Sequence, residues 1–245
     1  MKIIITAAGL GSRFTKEGIA KPKYEIIAKG KSLFYLSIIS LKKYFDDEFI
    51  FIFNIRSFNS EFIKRELYFL GIRKYQIILI DYLTSGQACT AFLAEKYVSP
   101  DEGVIIFNID THIDPEALEE MDLDNCDGLI PVFKVEGEHW SFVKTLDGTP
   151  NTPAVQVSEK VRISDMASVG LYYFKKWADF KIIIKRHQKD IKNNFREVYI
   201  APMYQYLIDQ KKEIYAFLIN KDDVTPLGTP AEVEAYDAEW LKNNK

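Results

Sequence analysis

The chain has 245 residues, of which 47% are hydrophobic and 14% aromatic, with 32 Lys and Arg against 35 Asp and Glu for a net charge of −3. That apolar content excludes a largely disordered chain. The near balance of charge excludes a protein built mainly to grip nucleic acid, which needs surplus cations to neutralise phosphates. The length suits one α/β domain or two small ones. No apolar run approaches the ~18 residues of a membrane span. The opening Met1-Lys2-Ile3-Ile4-Ile5-Thr6 reads straight into a strand rather than a signal peptide. Two cysteines, Cys89 and Cys126, supply neither a disulfide framework nor metal-type spacing. These features together predict a cytoplasmic protein, without a membrane partner, whose thiols are free and buried.

In chain order, residues 2–6 are an Ile-rich run of the kind a buried strand shows. After a glycine-containing loop, Phe34, Ile38, Leu41 and Phe45 recur at helical spacing over 32–45. Residues 49–53 read as a strand whose aromatic stripe is core. The segment 61–70 reads as an exposed helix, 75–80 as a strand, 88–97 as a helix and 103–108 as a strand. Asp114-Pro115 is an N-cap followed by proline at a first helical position. Such alternation implies parallel strands joined by crossovers, with helices on both faces of the sheet. After about residue 128 the pattern changes. Segments 128–133, 142–144, 154–158 and 169–174 are strand-like with fewer helices between them, which predicts a mixed, partly antiparallel second half. Helices are predicted over 176–187 and 198–211, and Thr229-Pro230-Ala231-Glu232 is a capping box that starts a terminal one. With no repeat, low-complexity tract or linker, 1–127 and 128–245 read as two halves of a single domain.

The most informative segment is Ala7-Ala8-Gly9-Leu10-Gly11-Ser12-Arg13-Phe14, directly after the first strand. Small residues and two glycines let a ligand approach the backbone, and a loop at the carboxyl end of a parallel strand is where α/β proteins bind ligands. Arg13 adds a permanent charge with a fork of donors suited to phosphate. The dinucleotide fingerprint fails, because Phe14 stands where its third glycine belongs. A Walker A loop fails as well, because Glu25 occupies its first glycine position ahead of Gly30-Lys31-Ser32. Gly30 reads instead as a turn before a helix capped by Ser32.

Residues 7–14, with Lys21-Pro22-Lys23 beyond them, resemble the signature of the sugar-phosphate nucleotidylyltransferases, shared by the phosphocholine-type cytidylyltransferases. Gly86-Gln87-Ala88 resembles the second nucleotide-binding segment of that family. Ile105-Ile106-Phe107-Asn108-Ile109-Asp110 resembles the strand that ends in its metal-binding aspartate. Ser141-Phe142-Val143 and Val157-Ser158-Glu159-Lys160 resemble the acceptor region, Val169-Gly170-Leu171-Tyr172 the following strand, and Leu227-Gly228-Thr229-Pro230 the segment before the last helix. The likeness runs through most of the chain in the same order. It departs at Pro226, where the family places a second metal-binding aspartate and the nearest acids are Asp222 and Asp223, and at Ile109, where the family has glycine.

The resemblance implies a Rossmann-like, GT-A-like nucleotidyltransferase fold with a mostly parallel central sheet. It also implies transfer of an NMP group from an NTP to a phosphorylated small molecule, a sugar 1-phosphate first among them, with release of pyrophosphate. Ala7, Ala8, Gly9, Leu10, Gly11, Ser12, Gly86 and Gln87 would bind the nucleotide. Arg13 would hold the β- and γ-phosphates, and Lys23 would bridge the α-phosphate and the acceptor phosphate. Asp110 and Asp223 would hold Mg²⁺, and Glu159, Lys160 and Gly170 would bind the acceptor. The family's habit adds a place in making precursors of surface polysaccharide, and a homo-oligomer is left open. A cytidylyltransferase acting on phosphocholine, a polyol phosphate or an amino-acid phosphate is the alternative; choline would need an aromatic cage, for which Trp140, Tyr172 and Tyr173 are the candidates. A glycosyltransferase would carry an Asp-x-Asp motif, which Asp110-Thr111-His112-Ile113-Asp114 is not. A non-catalytic binding module would not need Arg13, Lys23 and Asp110. His112 reads as a metal-facing or a plain loop residue, and His139 as pocket or surface. Tyr199, Tyr204 and Tyr206 read as packing or interface residues on one helix rather than catalytic ones.

Overall fold

The structure, a computed structural model, describes residues 1–244. From β1 (Lys2–Ala7) the chain passes through the glycine loop into α1 (Ser12–Lys16), a hairpin of β2 (Ile27–Ala28) and β3 (Lys31–Ser32), and α2 (Leu33–Ile39). It continues through β4 (Glu48–Asn54), α3 (Ser60–Leu70), β5 (Tyr75–Ile80), α4 (Gln87–Phe92), β6 (Val104–Asn108) and β7 (Thr111–Ile113). The second half runs β8 (Gly128–Lys134), β9 (Ser141–Thr145), β10 (Ala154–Glu159), β11 (Met166–Ser168) and β12 (Leu171–Phe174), then α5 (Trp177–Phe195) and α6 (Met203–Asp209). It closes with β13 (Ile214–Leu218), β14 (Val224–Pro226), α7 (Pro230–Tyr236) and α8 (Trp240–Asn244).

Ten strands form one sheet in the order β10-β9-β11-β8-β12-β6-β1-β4-β5, with β13 beside β8. As the strand–helix alternation requires, β5, β4, β1 and β6 are mutually parallel. β12 reverses direction against β6 and β8, and β9, β10 and β11 continue antiparallel, so the second half is mixed as expected. The central strands are apolar on both faces because both are covered. Side chains alternate along a strand. Ile3, Ile5, Phe49, Phe51 and Phe53 therefore face one core with Phe34, Ile38 and Phe62, while Ile4, Ile50 and Ile52 face the other with Ala88, Ala91, Phe180 and Tyr204. A third cluster joins Phe14 of α1 to Leu33, Val233 and Trp240, so the C-terminal helices buttress the helix that follows the glycine loop.

Where the structure departs from the sequence pattern, a polar group competes for the backbone. The helix predicted over 32–45 stops at Ile39, where the Ser40 hydroxyl donates to the Leu36 carbonyl and accepts from the Ile113 N–H. Asp114-Pro115 starts only a 3₁₀ turn, with Asp114 capping the Glu116 N–H. The helix predicted over 176–187 runs on to Phe195, and the one predicted from 198 begins at Met203. The short strands β7, β11, β13 and β14 carry too few residues for a readable period. Both cysteines are free; Cys126 is buried as predicted, which pushes its thiol up to about 11, whereas Cys89 is half-buried. No helix among the described residues is long and apolar enough to cross a membrane.

Candidate active site

A cavity of about 980 Å³ opens over the carboxyl ends of β1 and β6. Ala7, Ala8, Gly9, Leu10, Gly11, Ser12 and Arg13 all border it. Gly11 has φ +63°, and a Cβ there would meet the Lys23 Cβ at 3.2 Å, so glycine is required both for the turn and for the approach of Lys23. Gly9 faces open space. Arg13 is exposed at the rim, with its Nη1 donating to the Gly228 carbonyl at 3.4 Å.

Pro22 fixes the chain just before Lys23, whose Nζ pairs with Asp110 Oδ1. Lys23 is 14% exposed and Asp110 50%, so the pair stands at the cavity wall. Lys21 is exposed and does not line it. Asp223 does not join Asp110. β14 pairs with β7 so that Asp223 lies beside Asp114, whose N–H donates to the Asp223 carbonyl at 2.8 Å. The residue bonded to Asp110 is Leu227, through its N–H at 2.6 Å. The four-residue step from Asp223 to Leu227 spans about 13 Å in extended chain. The carboxylate near Asp110 across Gly228 is Glu232, whose Oε2 lies 3.2 Å from the point a Gly228 Cβ would take. Among the described residues no three His, Cys, Asp or Glu side chains gather as a metal cluster. A lone carboxylate still fits Mg²⁺, which is commonly held by one or two carboxylates plus substrate phosphates. His112 takes no part: its Nδ1 donates to the Leu36 carbonyl at 2.7 Å.

Gly86 and Gln87 border the same cavity. Gly86 has φ +142°, and a Cβ would lie 2.5 Å from the Val198 nitrogen. The strap 196–200, which follows α5, is tied down on both sides of Gly86: Val198 N–H donates to the Ser85 carbonyl at 2.8 Å, and Ala88 N–H donates to the Val198 carbonyl at 3.0 Å. This tie explains why residues 198–202 are not helical. Gln87 Nε2 donates to Thr6 Oγ1 at 3.3 Å, linking this loop to β1.

The same strap carries Tyr199 to Lys160. Lys160 adopts a left-handed backbone, φ +56°, and its Nζ donates to the Tyr199 hydroxyl at 2.5 Å. Tyr199 thus belongs to the cavity, not to the helix that packs Tyr204 and Tyr206. His139 also lines the cavity. Burial pulls the Lys160 ammonium down, but the Tyr199 hydroxyl and Glu159 more than offset it and hold it above its ordinary range. Glu159 is 4% exposed, accepts from Ser141 Oγ and lies 3.7 Å from Lys160. Burial raises the Glu159 carboxyl against the opposing pull of Ser141 and Lys160. A folded-state pKa above the unfolded one means that folding favours the protonated acid. Its contribution is complete below the unfolded value and is lost as pH rises through the folded one. Glu159→Gln is therefore expected to raise the melting temperature at pH 7, with the gap closing below about pH 4; thermal melts of both proteins across pH 4–7 check the sign.

Gly170 is buried beneath the cavity instead of bordering it, and a Cβ there would fall 2.6 Å from the amide of Asn108, which does border it. The three aromatics that could have formed a cage do not converge. Trp140 packs edge-on against Phe133 and beside His139; Tyr172 and Tyr173 point into the two different cores. The sequence reading missed Asn108, Ser85, Lys192, Arg196, Glu197 and Tyr199, which all line the cavity. No local pattern marks them, because they come from separate segments.

No family model matches the chain, and no curated protein does. Among solved structures, the nucleoside-diphosphate-sugar pyrophosphorylase from Vibrio cholerae RC9 is 32% identical over 99% of this chain and 100% of that one, with a TM-score of 0.85. The inositol-1-phosphate CTP transferase from T. maritima shares the fold at 20% identity, 100% and 96% coverage and a TM-score of 0.74. So does a protein described as a glucose-1-phosphate thymidylyltransferase from Bacillus anthracis, at 17% identity, 98% and 95% coverage and 0.72. The end-to-end match to the Vibrio protein accords with the parallel sheet, the glycine loop at its carboxyl edge and the cavity between the two halves, and the chain belongs to the nucleoside-diphosphate-sugar pyrophosphorylase family of nucleotidyltransferases.

Proposed function

We propose that the protein transfers an NMP group from an NTP to the phosphate of a sugar 1-phosphate, giving an NDP-sugar and pyrophosphate. The observation that carries this reading is that Arg13, Lys23, Asp110, Glu159 and Lys160 all border one cavity. An acceptor phosphate oxygen attacks the α-phosphorus, and the bond to the β-phosphate oxygen breaks as pyrophosphate leaves. No protein nucleophile is needed, so catalysis reduces to positioning and charge stabilisation.

The loop 7–12 receives the triphosphate, and the Gly86-Gln87 loop receives the base. Arg13 neutralises the β- and γ-phosphates and the departing pyrophosphate. Lys23 exchanges the Asp110 carboxylate for the α-phosphate and the incoming acceptor oxygen. Asp110, thereby freed, would hold Mg²⁺, which would supply charge neutralisation for the triphosphate. Lys160 meets the acceptor phosphate, and Glu159 accepts from acceptor hydroxyls.

A matrix of the four NTPs against sugar 1-phosphates, inositol 1-phosphate, glycerol phosphate and phosphocholine, scored for pyrophosphate, tests the reading. The expected result is release only when an NTP and a sugar 1-phosphate are both present. Release with phosphocholine alone among the acceptors, or none with any pair, refutes it.

A further inference from the structure

Asn108 ends β6 two residues before Asp110, so both side chains leave the strand on the cavity face. Its main-chain neighbour on β1 is Thr6, which is already engaged by Gln87 on the nucleotide side. The Asn108 carboxamide leans the other way, over Gly170 at the head of β12, and occupies the space a side chain at 170 would need. Its Oδ1 is buried and has no hydrogen-bond partner. An amide oxygen buried without a partner is unfavourable by its desolvation penalty, and at a cavity wall a bound ligand can supply the missing bond. A half-turn about the last side-chain bond brings either end of the amide toward the cavity.

The neighbouring groups define what that ligand is. Glu159, Lys160 and His139 border the same cavity, and hydrogen bonds link Gly170, beneath the amide, to Glu159: the Gly170 N–H donates to Ser168 Oγ, the Tyr172 hydroxyl bonds Ser168 and Ser141, and Ser141 Oγ donates to Glu159; Lys160 Nζ lies 4.4 Å from the centre of the Tyr199 ring. The Lys160 ammonium over the Tyr199 ring would repel a quaternary ammonium there.

We infer that Asn108 is a specificity-determining residue: its carboxamide hydrogen-bonds a hydroxyl of a polyhydroxylated phosphate acceptor. This rests on the proposed transfer reaction and adds to it the group that reads the acceptor. A site built to bond a hydroxyl rejects an analogue that lacks it, because the protein group is then left buried and unpaired.

The test measures pyrophosphate release with the NTP used best, across glucose, galactose and mannose 1-phosphates and the singly deoxygenated analogues of whichever is used best. The wild type is expected to lose about 10–100-fold in kcat/KM on one analogue. Asn108→Leu is expected to lose as much on the full acceptor, to show no further loss on that analogue, and to keep the KM for NTP within about twofold. If the leucine variant melts early, Asn108→Ser carries the same comparison. A folded variant with unchanged acceptor kcat/KM overturns the assignment, as does a loss that falls on the NTP instead, or a wild type indifferent to every deoxygenation. A wild type that releases no pyrophosphate with any pair overturns the reaction itself, and is recognised before any variant is made.

Discussion

Lys23→Ala is expected to lower turnover by about 10²–10³-fold while the protein stays folded. The transferring phosphoryl group gathers charge that a fixed cation stabilises without reorganisation, and Lys23 is the cation held deepest in the glycine-loop wall. Its Cβ rests on Gly11, its Nζ lies 5.6 Å from the centre of the Phe14 ring, and it faces Asp110. The fold should survive because the carboxylate left without its partner, Asp110, is half-exposed and stays solvated, so the loss is about 0–1 kcal/mol, equivalent to a few degrees in the melting temperature of a chain this long. The variant should also bind Mg²⁺ more tightly in the absence of nucleotide, since Asp110 loses the cation it is paired with. Single-turnover pyrophosphate release, a thermal melt and calorimetric titration of Mg²⁺ report the three effects separately. A folded variant that turns over normally removes Lys23 from the proposed chemistry.

Gly86→Ala should be the more disruptive change, since it acts on backbone rather than on one charge. The new methyl would lie 2.5 Å from the Val198 nitrogen and 2.7 Å from its carbonyl oxygen, both main-chain atoms. Backbone strain at a left-handed φ contributes ~1–3 kcal/mol, and overpacking contributes a further ~1–3 kcal/mol. A fall in melting temperature of more than about 5 °C is expected. The strap 196–200 must shift, and it carries Tyr199, the partner of Lys160. Affinity for the NTP and for the acceptor should therefore fall together, although Gly86 is proposed to meet only the nucleotide. Calorimetric titration of NTP and steady-state kinetics of the acceptor check this; an effect confined to the NTP would show that the strap does not couple the two walls.

Much of the site's cationic half is local in the chain. The glycine loop, Arg13 and Lys23 lie within one short stretch after β1, and a turn that needs glycine at position 11 writes itself into the sequence. Asp110 follows from the end of an apolar strand. By contrast, Asp223 is close in sequence to the position where a second acid was sought, yet the β7–β14 register carries it to Asp114. Tyr199 looked like a helix residue because its neighbours have helical spacing; pairing of Val198 with Ser85 and Ala88 overrode that tendency.

The sequence by itself determined the parallel half of the sheet, the loop at its edge and the kind of chemistry that loop supports. These depend on periodicity and on glycines, and both act between residues a few positions apart. Only the tertiary structure decided which acid stands by Asp110, which aromatics are free to meet a ligand, and that Asn108 keeps an unpaired amide oxygen buried over Gly170 at the cavity wall. Those outcomes depend on strand register and on which face of each strand meets solvent, and a shift of one residue in register reverses every such facing.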